Sequence, residues 1–222
     1  MEINLSVKNS SENIPVQKIF CLAKNYAKHI EEMASEKPNQ PTIFMKPRTA
    51  IIKNGETIYI PKDSHNVHYE VELVVVIGKE GKKVKQEEAA NYIYGYAVGL
   101  DVTLRDIQQQ AIKYGHPWSI AKGFDTSAPI SEILPREKVV DPHQLNLRLW
   151  LNGELRQDGN TKDMIFRINE IIAYLSRFFT LERGDLIYTG TPSGVGQIKS
   201  GDTIKAELDG LLTLNLGVDE AN

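Results

Sequence analysis

His68-Tyr-Glu-Val-Glu-Leu-Val-Val-Val-Ile-Gly78 decides how this chain is read. From Leu73 to Ile77 the run is aliphatic and mostly β-branched, the mark of a strand buried on both faces. At its mouth stand two carboxylates, Glu70 and Glu72. A strand turns residues i and i+2 to the same face, so both crowd one spot. Like charges that close are unfavourable unless a cation or a shared proton relieves them. Asp101 ends the next apolar stretch, Tyr96-Ala-Val-Gly-Leu-Asp101, and could reach the same place. The bland alternative, a solvated face paired with lysines, fits poorly beside so many apolar neighbours, because buried acids need partners. Three hard oxygen ligands without a cysteine favour Mg²⁺ or Mn²⁺ over zinc. His68, two residues before Glu70, shares the face and could be a ligand or support one. His65 reads as an exposed loop residue.

The remaining pattern is β-rich. Strands are expected over residues 16 to 24, 42 to 46, 57 to 60 and 96 to 101. Leu145 to Asn152 alternates strictly, Asn152-Gly153 is a hairpin turn, and Glu154 to Gln157 is its return strand. Further strands fall at Asp185 to Thr189, Thr203 to Leu208 and Leu211 to Val218. Helices are expected over Tyr26 to Met33, capped by Asn25, over Lys85 to Asn91 and Thr103 to Lys113, and over Met164 to Phe179. Many strands and few short helices give a β-rich α+β domain.

With 222 residues and a net charge of −3, the chain suits one large domain or two small ones and offers no basic surface for nucleic acid or membrane. A single cysteine, Cys21, excludes an intrachain disulfide framework and fits a reducing cytoplasm. The first residues show no basic segment followed by an apolar core, so a soluble cytoplasmic protein is expected.

Other constellations are weaker. His29 and Glu32 share a helical face, and a carboxylate-oriented histidine can activate water. Taken alone they read more readily as an exposed pair on a polar helix. Thr189-Gly-Thr-Pro-Ser-Gly-Val-Gly196 lacks the Gly-Lys-Ser/Thr ending of a phosphate loop. Its backbone N–H groups and the Thr191 hydroxyl could hold a small anion, or the segment could be a plain tight turn. Lys46 and Lys122 stand among mostly uncharged neighbours and either face an anionic site or snorkel.

Together, Asn25-Tyr-Ala-Lys-His29, Phe44-Met-Lys-Pro47, His68-Tyr-Glu-Val-Glu72, Gly99-Leu-Asp101, Thr103-Leu-Arg-Asp106, Ala121-Lys-Gly-Phe-Asp125 and Gly190-Thr-Pro-Ser-Gly-Val-Gly196 occur in an order that resembles the fumarylacetoacetate hydrolase family. The resemblance is in particular to its short single-domain acylpyruvase-type members, over roughly residues 16 to 218. It implies one catalytic domain over residues 1–222, with 1–15 as an N-terminal extension. The implied fold is a mixed β-roll or sandwich of the fumarylacetoacetase C-terminal type, usually a homodimer. Glu70, Glu72 and Asp101 would hold Mg²⁺, or Mn²⁺. His29 and Glu32 would activate water on a helix that orders as a lid, with Lys122 as the third catalytic residue. Lys24, Lys46, Gln108, Gly190 and Thr191 would contact substrate. Lys24 stands where related short members often carry Arg, and lysine lacks the bidentate fork for a carboxylate.

The expected activity is metal-dependent hydrolysis of a carbon–carbon bond in 2,4-diketo acids such as acetylpyruvate or fumarylpyruvate, giving pyruvate and a carboxylic acid. The alternatives are oxaloacetate decarboxylation or keto–enol tautomerisation, isomerisation or decarboxylation of a longer dienoic or diketo diacid, and a keto-acid binding protein without turnover.

Overall fold

The computed structural model describes residues 3–32 and 36–221. Its centre is the strand Val71–Ile77, every residue of which is buried. Ile93–Leu100 pairs antiparallel on one side and Leu186–Tyr188 antiparallel on the other. Ile19–Ala23 runs parallel to Leu186–Tyr188 and pairs with Thr42–Lys46 at the edge, while Ala128–Ile130 and Ile51–Lys53 extend the opposite side of this eight-stranded sheet.

Alternation sends the two halves of the central strand to different cores. Val71, Leu73, Val75 and Ile77 join the larger one, which continues through Leu147, Leu149, Leu214 and Leu216 of a five-stranded sheet and through Ile171, Ile172 and Leu175 of the helix Ile168–Phe178. Val74 and Val76 join a smaller core with Cys21, Ile130 and Tyr188. That second face is covered by the hairpin of Asn4–Ser6 and Asn13–Pro15, whose Leu5 and Ile14 are almost wholly buried. Sequence reading assigned no strand there, because three-residue strands are too short to show a period.

The expected β-rich architecture with a curled sheet and few short helices is what forms. Asn152 and Gly153, at φ 53° and 82°, make the two-residue turn of the hairpin Asn146–Leu151 and Glu154–Asn160. Boundaries differ where tertiary bonds win over periodicity. Thr103–Leu104 pairs with Val67 and His68, so the helix begins only at Arg105 and runs to Tyr114. Residues 164–167 form a turn held by Asn25, and the long helix starts at Ile168. The stretch Gln86–Tyr92 is a 3₁₀ helix. The helix expected over Tyr26 to Met33 spans Ala27–Glu32, and Met33 lies outside the described residues. Among the described residues no helix is long and apolar enough to cross a membrane.

Strand directions bring four chain ends together. The C-terminal ends of Ile19–Ala23, Leu186–Tyr188 and Ile93–Leu100 exit beside the N-terminal end of Val71–Ile77. Glu72 pairs with Gly99 there. A Cβ on Gly99 would lie 2.7 Å from Tyr188 Cε1, 2.8 Å from Val74 Cγ2 and 3.0 Å from the Pro129 carbonyl oxygen. Gly99→Ala is expected to cost about 1–3 kcal/mol by overpacking, read as a lower urea midpoint with an unchanged slope.

Candidate active site

The acids expected to converge do so. One oxygen from each of Glu70, Glu72 and Asp101 lies within 4.8 Å of the others, and all three residues are buried. Glu70 precedes the central strand, Glu72 lies on it, and Asp101 follows Leu100, donating its backbone N–H to the Glu70 carbonyl at 2.9 Å.

Three buried cations balance them, each from a different element. Lys122, on the short helix Ser119–Gly123, donates to Glu70 Oε2 at 2.9 Å, to Asp101 Oδ2 at 2.6 Å and to Thr103 Oγ1 at 2.6 Å, which uses all its protons. Arg105 Nη2 donates to Glu70 Oε1, and Arg105 Nη1 to Gln108 Oε1 at 2.6 Å. Lys46 Nζ lies 2.8 Å from Asp101 Oδ1, while its protons go to the carbonyls of Lys122, Ser127 and Val102. That contact is one of charge only, so Asp101 Oδ1 is buried without a hydrogen-bond donor. Burial works against ionisation of Glu70, but Lys122 and Arg105 outweigh it and hold the carboxyl well below the usual range. Glu72 is pushed up, by burial first and then by Asp101 and Glu70, and receives one backbone donor, Gly190 N–H at 2.7 Å. Burial opposes the charge of Lys122 too, yet Asp101 and Glu70 raise its pKa and keep it cationic.

A cavity of about 390 Å³ opens onto this cluster. Its polar wall includes Lys24, His29, Arg105, Gln108, Lys122 and Thr191, its apolar wall Leu22, Ile30, Ile112 and Trp118. Lys24 holds a left-handed backbone, φ 59°, which is rare outside glycine and tends to persist where the surroundings impose it. His29 Nδ1 lies 3.1 Å from Glu32 Oε2, so the pair read more readily as exposed is a half-sheltered dyad with its histidine on the cavity wall. Glu32 in turn accepts the Gly194 N–H, at 3.1 and 3.3 Å to its two oxygens.

Three expected positions fall elsewhere. Lys46 does not line the cavity and braces Asp101 from behind, because its ammonium is consumed by carbonyls. Gly190 is likewise absent from the wall, its N–H being given to Glu72. His68 turns from the acids: Nε2 lies 2.8 Å from Asn66 Oδ1, and burial, with Arg105 nearby, lowers its pKa to about 4. Asn25 does not cap the helix Ala27–Glu32. Its Nδ2 donates to the carbonyls of Thr189 and Phe166, and its Oδ1 accepts from Phe166 N–H, tying the strand end to two loops. Arg105 is a site residue that its local sequence, Thr103-Leu-Arg-Asp106, does not mark as one. Its spacing of three from Gln108 on one helix was the available signal.

An all-oxygen donor set, one carboxylate oxygen without a donor and a second acid with a single backbone donor fit a hard divalent cation. Comparison with known proteins agrees. Residues 18–219 match the family described as Fumarylacetoacetate (FAA) hydrolase C-terminal. The chain is 47% identical over 201 residues to the mitochondrial oxaloacetate tautomerase FAHD1 of Bos taurus, covering 90% of this chain and 91% of that one. A crystal structure of fumarylpyruvate hydrolase from Pseudomonas aeruginosa, in complex with Mn²⁺ and pyruvate, superposes with a TM-score of 0.93 at 38% identity, covering 99% of this chain and 97% of that one. The 2-hydroxyhepta-2,4-diene-1,7-dioate isomerase of Mycobacterium marinum gives a TM-score of 0.83 at 38% identity, with 94% and 77% covered. This chain belongs to the fumarylacetoacetate hydrolase family.

Proposed function

We propose that the chain is a metal-dependent enzyme of 2-keto dicarboxylates that moves a proton at the carbon beside the keto group, with oxaloacetate keto–enol tautomerisation as its leading reaction. One observation carries the choice of a diacid: the three clustered carboxylates are matched by three buried cations, Lys46, Arg105 and Lys122, which pair with Glu70 and Asp101 and leave Glu72 unpaired. The cluster is neutral with all its acids ionised, so a divalent ion leaves two positive charges, the complement of a dianion. Lys24 on the cavity wall adds to the same sign. The likeness to oxaloacetate tautomerases supports the reading.

Glu70, Glu72 and Asp101 would hold Mg²⁺ or Mn²⁺. A cation held there would act as a Lewis acid on the keto oxygen. The other parts are the chain's own. Thr191 and Arg105 orient the substrate's oxygens. Lys122 neutralises the acids and sets a positive potential under the carbon chain as negative charge spreads to the keto oxygen. His29, oriented through Nδ1 by Glu32, takes the C3 proton of the keto form at Nε2, leaving the enolate, and gives that proton to the enolate oxygen to form the enol; ketonisation is the reverse. Leu22, Ile30 and Trp118 exclude water from that transfer.

The same dyad supports a second reading, hydrolysis of acylpyruvates, in which His29 takes its proton from water attacking the distal ketone. The fumarylpyruvate hydrolase relative, with Mn²⁺ and pyruvate, favours keeping it. Both readings need a base at His29, and loss of CO₂ from oxaloacetate does not. A binding protein without turnover would have no use for that base.

Enol-oxaloacetate, fumarylpyruvate and acetylpyruvate compared with Mg²⁺ and after EDTA test the assignment. Ketonisation of oxaloacetate is expected to be fastest and to stop with EDTA. Faster release of pyruvate from fumarylpyruvate would transfer the assignment to the hydrolase. A higher kcat/KM on monoanionic acetylpyruvate than on either dianion would overturn the charge argument. His29→Ala is expected to lower tautomerisation and hydrolysis by about 10²–10⁴-fold and to leave oxaloacetate decarboxylation within a few-fold of wild type. Equal loss of all three would remove His29 from the proton-transfer role.

A further inference from the structure

The strand Glu154–Asn160 is mostly polar, with Leu155 its one large apolar residue, and is exposed or half-buried along its length except at Gln157, which has no exposed surface. A buried side-chain amide is costly unless its donors and acceptor are used. Gln157 Oε1 accepts the N–H of Val71 at 2.9 Å, on the strand that carries Glu72. Gln157 Nε2 donates to the Pro192 carbonyl at 2.9 Å and to Thr191 Oγ1 at 2.9 Å. Close packing holds the segments together, for a Cβ on Gly159 would lie 2.4 Å from Pro192 Cβ.

The partners fix which way the amide points. A backbone N–H only donates and a backbone carbonyl only accepts, so the NH₂ end must face Pro192 and Thr191. Thr191 Oγ1 is then obliged to accept, and its own proton remains for another acceptor. The Pro192 carbonyl has a lone pair to spare beside the Gln157 bond, but at 3.4 Å from Thr191 Oγ1 it is too distant to hold that proton against a closer anionic oxygen in the cavity. Thr191 is on the cavity wall.

We infer that Gln157, outside the cavity, is a positioning residue that makes Thr191 a hydrogen-bond donor to an anionic oxygen of the substrate, and so selects a carboxylate over a group that itself donates. The inference rests on the proposed 2-keto acid site. It assigns the hydroxyl a polarity, and places the cause of that polarity on a strand of the other sheet.

The test is binding of pyruvate, and of its amide, to the Mn²⁺-loaded protein by calorimetric titration. Thr191→Val removes the donor, and about tenfold or greater weakening of pyruvate binding is expected, as for a hydrogen bond to a charged group. Thr191→Ser keeps it and restores binding to within a few-fold of wild type. Gln157→Glu keeps the shape and the Val71 bond, but when ionised it accepts from Thr191 instead of donating to it, and when protonated it has one proton where the amide has two for Thr191 and Pro192. It should weaken pyruvate at least tenfold, narrow the preference for pyruvate over pyruvamide, and leave Mn²⁺ affinity within about twofold. The Gln157→Glu/Thr191→Val double variant should be no weaker than Thr191→Val, the signature of two residues acting through one bond. Wild-type pyruvate affinity and preference in Gln157→Glu, or penalties that multiply in the double variant, would overturn the inference alone. Gln157→Met decides the same question should the glutamate variant not fold. Failure of the wild-type protein to bind pyruvate with Mn²⁺ would overturn the proposed function and this inference with it.

Discussion

Three carboxylates buried within 4.8 Å of one another are the constraint on which the rest of this structure depends. Removing a charge from water costs several kcal/mol even after relaxation, and an unpaired one is not tolerated. The chain meets the cost with Lys46 from an edge strand, Lys122 from a five-residue helix and Arg105 from the first turn of a longer one. Deleting one partner of a buried pair typically costs about 3–5 kcal/mol, because the other charge is stranded. Elements with few apolar contacts of their own are thereby tied to the sheet end. The charge cluster organises the fold locally as well as providing chemistry.

The sheet makes that cluster affordable by keeping it at an end. Val74 and Val76 continue the face that carries Glu72, but they pack on Cys21, Tyr188 and the N-terminal hairpin. The polar region therefore stops after one pair of residues, and apolar packing resumes at about 1.5–3 kcal/mol for each buried aliphatic side chain.

How much of this was legible follows from the range of each interaction. The strand Val71–Ile77, the hairpin at Asn152-Gly153 and the convergence of Glu70 with Glu72 rest on spacings of two residues, and reading alternation recovers them. Lys46 misled because an isolated lysine reads the same whether its ammonium meets substrate or three backbone carbonyls far along the chain. Asn25 looked like a cap, since its local pattern is that of a cap, but its bonds run to Thr189 and Phe166. Gln157 gave no signal at all. A glutamine in a polar return strand is ordinary, and its burial is created by a loop more than thirty positions later.

That loop links the acid cluster to the His29–Glu32 pair. Gly190 N–H binds Glu72, Gln157 holds Thr191 and Pro192, and Gly194 N–H binds Glu32, the partner of His29. The helix residues Ala27–Glu32 are placed by tertiary contacts, for Ile30 is buried and the preceding Tyr26 bridges Met164. Glu32 is one-third exposed, and a backbone bond to so wet a carboxylate is worth on the order of 1 kcal/mol. The acids are therefore fixed by buried charge, while Glu32 is tied to the same loop by a half-wet backbone bond, which makes the histidine's partner the less firmly held side of the site.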